Sequence, residues 1–266
     1  TVAGQTAPAP GITFIPGGLV IAAHDVVVRH IRVRPGEAGF AKRAGVDFDA
    51  ITTTRGARDV IVDHCSLTWA TDENLSASST RFAGESPQDW LRNASRRITF
   101  SNNILAEGLA NATHGKGEHS KGTLIHDHVN EVLIVGNLYA HNYERNPLFK
   151  GGARGQVINN LIYNPGQRAT HYNLIAEEWL GHPYQRGEMV LRGNVMRAGP
   201  DTEELAFFMI GGSGDMALHA EDNLVVDRIG RPLPQIGRYT TAPVELVELD
   251  AAPPLLCGKG EGRGAR

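Results

Sequence analysis

Cysteine is scarce: Cys65 and Cys257 are the only two in 266 residues. That excludes a disulfide-stapled scaffold. Cys65 sits inside the strand-like run Val60-Ile61-Val62-Asp63-His64-Cys65 and reads as a buried free thiol. No run of 18 apolar residues occurs, so no membrane-spanning helix and no membrane partner are expected. Positive charge is not in excess. The 26 Lys and Arg against 29 Asp and Glu leave a net charge of −3, which excludes the global basic field of a nucleic-acid binder. Apolar stripes at i, i+3, i+4 and i+7 are missing from the repeated segments, which excludes helical repeat arrays. Gly-x-Ser-x-Gly elbows and phosphate-cradling Gly loops are absent, and His114, His119, His126, His128 and His141 form no His-Glu-x-x-His pair.

What is present is glycine, 31 residues, and one phrase that keeps returning. Two to four apolar residues lead through a spacer to Asn or His, then to two or three more mostly apolar residues. Examples are Val26-Val27-Val28-Arg29-His30-Ile31, Ile98-Thr99-Phe100-Ser101-Asn102-Asn103-Ile104-Leu105 and Leu133-Ile134-Val135-Gly136-Asn137-Leu138-Tyr139. The anchors His30, His64, Asn103, Asn137, Asn160, Asn194 and Asn223 are 34, 39, 34, 23, 34 and 29 residues apart. Periods of this size mark solenoids and propellers. Short β-rich runs and a variable period point to an all-β, single-stranded parallel β-helix with loops of variable length on one side. The bend Asn has two expected tasks: to accept a left-handed backbone and to pair its amide with the Asn one coil away.

Residues 1–250 are read as one catalytic β-helix domain whose N-terminal cap is missing, and 251–266 as a disordered tail. The chain opens on Thr1 rather than Met, and a removed leader is expected. Residues 79–97 break the repeat, with a short helix capped by Ser86. Residues 166–187 read as a second long insertion. Trp69, Trp90 and Trp179 stand in or near loops, as sugar-stacking or loop-packing groups. Three segments gather polar groups at strand ends: Val62-Asp63-His64, His119-Ser120-Lys121-Gly122, and Glu144-Arg145-Asn146-Pro147-Leu148-Phe149-Lys150. Lys121 and Arg145 are 24 residues apart, about one short coil, so Asp63, Lys121 and Arg145 are expected to line one groove.

These segments resemble the pectate lyase family of polysaccharide lyases. The family's Asp-His after an apolar run looks like Val60-Ile61-Val62-Asp63-His64. Its His-x-Lys-x-x-Leu-Ile looks like His119-Ser120-Lys121-Gly122-Thr123-Leu124-Ile125. Its His-Asn…Arg-x-Pro-x-x-Arg looks like His141-Asn142 followed by Arg145-Asn146-Pro147-Leu148-Phe149-Lys150. The resemblance covers about residues 1–165. It implies a right-handed β-helix, secreted or periplasmic and monomeric, that cleaves an acidic polysaccharide such as pectate by Ca2+-assisted β-elimination. Carried over, Arg145 is the base, with Lys121 beside it in the catalytic set. Lys150, His119 and Asn146 hold substrate, and Asp63, Asp72 and Glu73 hold Ca2+. Two departures stand out. Lys150 replaces the family's second Arg, and Asp72-Glu73-Asn74-Leu75-Ser76 carries Ser76 where the family has a second acid. The alternatives are a Ca2+-independent lyase for methylated pectin, a non-catalytic carbohydrate-binding β-helix and a β-helix hydrolase. Retained Asp63 and Asp72 count against the first, and Lys121 with Arg145 against the second. The hydrolase needs carboxylates flanking a scissile bond, and Asp72-Glu73 is the one tight acidic pair beside the segments that carry the resemblance.

Overall fold

The apolar runs become parallel strands. The computed structural model describes residues 1–253; Cys257 and all but the first three residues of the tail expected over 251–266 lie outside the described residues. Among the described residues, three parallel sheets of nine, eight and eight strands form a parallel β-helix. The first sheet runs from Val2–Ala3 to Leu246–Glu248, the second from Ile12–Phe14 to Leu224–Val226, and the third from Leu19–Ile21 to Ile236–Arg238. Each strand pairs with the strand three later in the chain, so one coil takes one strand from each sheet.

The alternation within the repeat sets the core. Val28, Val62, Phe100, Ile134, Val157 and Leu191 stack in register through the first sheet, all buried. Ile61, between buried Val60 and Val62, is 40% exposed. Each buried aliphatic side chain contributes roughly 1.5–3 kcal/mol, and stacking like on like keeps a column free of voids.

The bend divides the two tasks expected of its Asn between two neighbouring residues. His30, His64, Asn102, Gly136, Asn159, Gly193 and Asp222 take the left-handed backbone, with φ between 53° and 68°. The next position carries the amide ladder. Asn103 Nδ2 donates to Asn137 Oδ1, Asn137 to Asn160, Asn160 to Asn194, and Asn194 to Asn223, at 2.9–3.0 Å. His30 and His64 therefore belong to the left-handed row, where their rings stack at 4.9 Å, and not to the ladder.

The repeated phrase marks only the first two sheets. Strands of the third sheet, Ile51–Thr53, Glu73–Ala77, Lys121–Ile125, Leu148–Lys150 and Thr170–Leu174, lie between phrases. The stretch 166–187 is thus no plain insertion, since Thr170–Leu174 is a rung within it. The helix Pro87–Asn93 forms as expected, with Ser86 and Asp89 making a reciprocal capping box. Trp90 and Trp179 are buried at 3% and 0%, which makes them packing residues, whereas Trp69 is exposed.

Candidate active site

Polar residues collect where the third sheet begins each coil. Glu73 and Lys121 are direct partners across neighbouring strands, and Lys121 bridges to Glu144 on the next coil. The 24-residue step from Lys121 to Arg145 is therefore one coil in space. Gly122 makes the approach feasible: a Cβ there would lie 2.5 Å from the Arg145 carbonyl oxygen.

Around Arg145 three carboxylates converge. One oxygen each from Asp49, Asp72 and Glu73 lies within 4.8 Å of the others. The Arg145 guanidinium pairs with Glu73 and stands 3.8 Å from Asp72. Burial, the largest cause, lowers the Arg145 pKa, against the upward pull of Asp72 and Asp49. Burial and the Asp72 charge push the Asp49 carboxyl up to about 7. Ser76 donates to Asp49 at 2.5 Å and the Glu73 N–H donates at 3.1 Å. Burial also opposes the charge on Asp72, but His119 at 2.7 Å, Arg145 and His114 hold that carboxyl below its ordinary value.

The convergent carboxylates fit a hard divalent cation. The donors are all oxygens, and the repulsion that raises Asp49 is what such an ion relieves. Asp49 escaped the sequence reading because it precedes the strand Ile51–Thr53, too short to show alternation. Its only signal is an acid directly before a short β-branched run.

Over the coils that follow, Lys121 and Arg168 approach from either side and share Glu144. Burial works against the Glu144 charge, and neighbouring His171, Lys121 and Arg168 outweigh it, holding the carboxyl at about 2. Lys121 is 4% exposed and lies 5.6 Å from the Tyr143 ring centre. Lys150 ends the strand Leu148–Lys150 and pairs with Glu178, beside Arg81 and Asp127.

Three of the expected site residues have other partners in the structure. Asp63 is not a partner of Asp72 and Glu73. It closes a first-sheet strand, at the bend toward the second sheet, where Arg29, His64, Ser101 and Asn102 surround its carboxylate at 2.7–3.0 Å. Burial opposes its charge, and those hydrogen bonds drive its pKa far down. Asp63, Lys121 and Arg145 therefore do not line one groove, and Asp49 completes the acidic group instead. Asn146 is 1% exposed, and its side chain continues the internal amide chain Asn74–Asn142–Asn146 beneath Arg145, so it positions backbone. His119 is 5% exposed with its Nε2 on Asp72, and its ring stacks on His114 at 3.5 Å. It orients a carboxylate.

No family model matches the chain. Among curated proteins, one named probable pectate lyase C from Aspergillus terreus is 35% identical over 208 residues, covering 78% of this chain and 41% of that protein. Proteins of the same name from Aspergillus fumigatus and Emericella nidulans are 33% identical over 208 residues, again 78% of this chain, and 41% and 40% of their own lengths. The chain spans about two-fifths of the length of these relatives.

Proposed function

The chain belongs to the pectate lyase family over the stretch it shares with these relatives, and from that premise we propose that it cleaves pectate, or a related polyuronate, by β-elimination with Arg145 as base. The observation that carries the reading is the part-buried guanidinium of Arg145 set against the Asp49, Asp72 and Glu73 carboxylates, one coil from Lys121.

The chemistry asked of the site is removal of a weakly acidic proton. A uronate C5–H bond breaks and its proton passes to the Arg145 guanidine. The electron pair forms the C4–C5 double bond, the C4–O bond breaks, and the departing oxygen takes a proton to leave a hydroxyl end. Negative charge gathers on the C6 carboxylate during proton transfer, so cations placed there in advance lower the barrier. Asp49, Asp72 and Glu73 would hold Ca2+, which supplies positive charge beside that carboxylate when bound. Lys121 adds a second cation. Burial favours the neutral form of Arg145, and raising the pH enlarges the small neutral fraction that accepts a proton. Glu73 opposes this by pairing with the charged form, so the base works once substrate separates the pair. Lys150 lines a neighbouring part of the polymer's path, without the two-pronged grip of an Arg.

The test is ultraviolet absorbance of unsaturated uronate from polygalacturonate, with and without a chelator. A rise that chelator abolishes is expected. Arg145→Ala should lower turnover at least about a thousandfold with an unchanged melting temperature, a loss typical for a general base combined with lost charge. No absorbance rise with or without Ca2+ removes the lyase reading, and a rise that survives chelation removes Ca2+ alone.

A further inference from the structure

Lys150, assigned above to substrate, already has a carboxylate partner. Glu178 Oε2 contacts Lys150 Nζ and lies 2.7 Å from Arg81 Nη2. A second acid, Asp127, sits 3.1 Å from Arg81 Nε and 3.9 Å from Lys150 Nζ. Asp127 is fully buried and takes a 2.8 Å hydrogen bond from Trp179 Nε1, so it belongs to the frame. The neighbouring His126 adds no charge near neutrality, because burial pushes its imidazole down to about 4. Two cations thus face two carboxylates, and the cluster is neutral. Glu178 is the exposed member, with 35% of its side chain open to solvent, against 8% for Lys150 and none for Asp127.

Chemically, the end of Glu178 is what a free-acid sugar would present: a carboxylate receiving Lys and Arg donors. Its backbone is not free to swing aside. Glu178 lies on the single turn Ala176–Trp179, and its carbonyl accepts from Arg81 at 3.3 Å. The next residue, Trp179, is fully buried against Phe82, His128 and Tyr184, with ring centres 4.9–5.8 Å apart. The carboxylate is a fixed fixture of the groove, not the tip of a moving lid.

We propose that Glu178 is a specificity residue: it stands in for a uronate carboxylate on Lys150 and Arg81, so that this subsite takes an uncharged unit, a methyl-esterified uronate or a neutral sugar, in preference to a free acid. This rests on the lyase reading only for the placement of Lys150 in the groove. A free-acid sugar here must either displace Glu178 or add a third negative charge to a balanced set. An uncharged sugar meets neither cost.

The test is calorimetric binding of trigalacturonate and of its fully methyl-esterified form to the whole chain, which needs no turnover. Glu178→Gln should tighten trigalacturonate about tenfold, roughly one charge-assisted contact, and change the ester less than about twofold. Glu177→Gln removes the same charge from the same turn, and should leave both affinities unchanged. If Glu178→Gln lowers the melting temperature, Glu178→Ala is read in its place. Unchanged trigalacturonate affinity in the Glu178 variant, equal tightening of both sugars, or an equal gain in Glu177→Gln overturns the proposal. Failure of every form to bind trigalacturonate overturns it as well. Intact binding with no unsaturated product from the wild type overturns the lyase reading and leaves this one standing.

Discussion

At the residue scale, burial decides which groups carry charge. His126 and His128 are pushed down to about 4 and His171 to about 3, all by burial first. An unfolded His titrates near 6.5. Below that pH the unfolded chain binds protons that the folded chain refuses, so stability falls as pH falls, by up to about 1.4 kcal/mol per unit for each group. Asp49 runs the other way. Its carboxyl, raised to about 7, keeps a proton in the folded state that the unfolded chain has lost above about 4, so its share of stability grows as pH drops from 7. Three groups against one leave a net loss. Urea midpoints should fall between pH 7 and pH 5, before most carboxylates titrate. His128→Asn should flatten that slope by about one proton, with Asn tolerating the local φ of 63°. A pH-independent midpoint, or an unchanged slope in the variant, contradicts this account. The same burial explains why Asp63 misled the sequence reading. An acid beside a His at a strand end looks reactive, and nothing local reveals that Arg29, Ser101 and Asn102 from neighbouring coils consume its lone pairs.

At the scale of elements, the sequence declares two sheets and conceals the third. First-sheet strands such as Arg58–Asp63 and Asn130–Val135 are six residues long and alternate cleanly. Third-sheet strands are three to five residues and carry Glu73, Lys121 and Lys150 at their ends, so their apolar pattern is cut short by the groups that make the site. The parallel β-helix, the amide ladder and the one-coil step from Lys121 to Arg145 were legible because each repeats or follows from the period. Asp49 and Glu178 were not, since each reaches its partners only through coil stacking. The ladder has its own energetic signature. Asn137 Nδ2 donates to the Phe100 carbonyl and to Asn160, and its Oδ1 accepts from both Asn103 N and Asn103 Nδ2. Asn137→Ala strands several buried partners at once and should cost about 3 kcal/mol in urea unfolding, taking roughly 1–3 kcal/mol per unpaired buried group with partial relaxation. Asn223→Ala, at the last amide of the ladder, should cost less than half of that. Equal losses at the two positions would mean the ladder is not cooperative.

At the scale of the whole molecule, a chain with a net charge of −3 groups its charge into three clusters along one sheet. Asp49, Asp72 and Glu73, from two successive coils, stay acidic even with Arg145 upon them. Lys121 and Arg168, from the coils on either side of Glu144, share that one carboxylate and leave a cation in excess. Lys150, which ends the strand that Glu144 and Arg145 lead into, is balanced together with Arg81 by Glu178 and Asp127. Coils stack about 4.8 Å apart, so the three clusters lie within the span of a few sugar units. A polyuronate laid on this face meets repulsion, attraction and neutrality side by side. Grip on the polymer therefore depends chiefly on the Lys121 cluster and on cations bound at the acidic one. Much of the Lys121 side chain is buried, but the carboxylate it holds arrives from water, so screening acts on the encounter and on the bound pair at its rim. With Ca2+ saturating, KM for polygalacturonate should rise about three- to fivefold between 50 and 500 mM NaCl while kcat stays within about twofold, the pattern of weakened attraction without altered chemistry. Lys121→Gln should raise KM at low salt and remove most of the salt dependence, because it deletes the excess cation that the salt screens. A salt slope that survives in Lys121→Gln would place the attracting charge elsewhere, and the Lys121 cluster would then not be what holds the polymer.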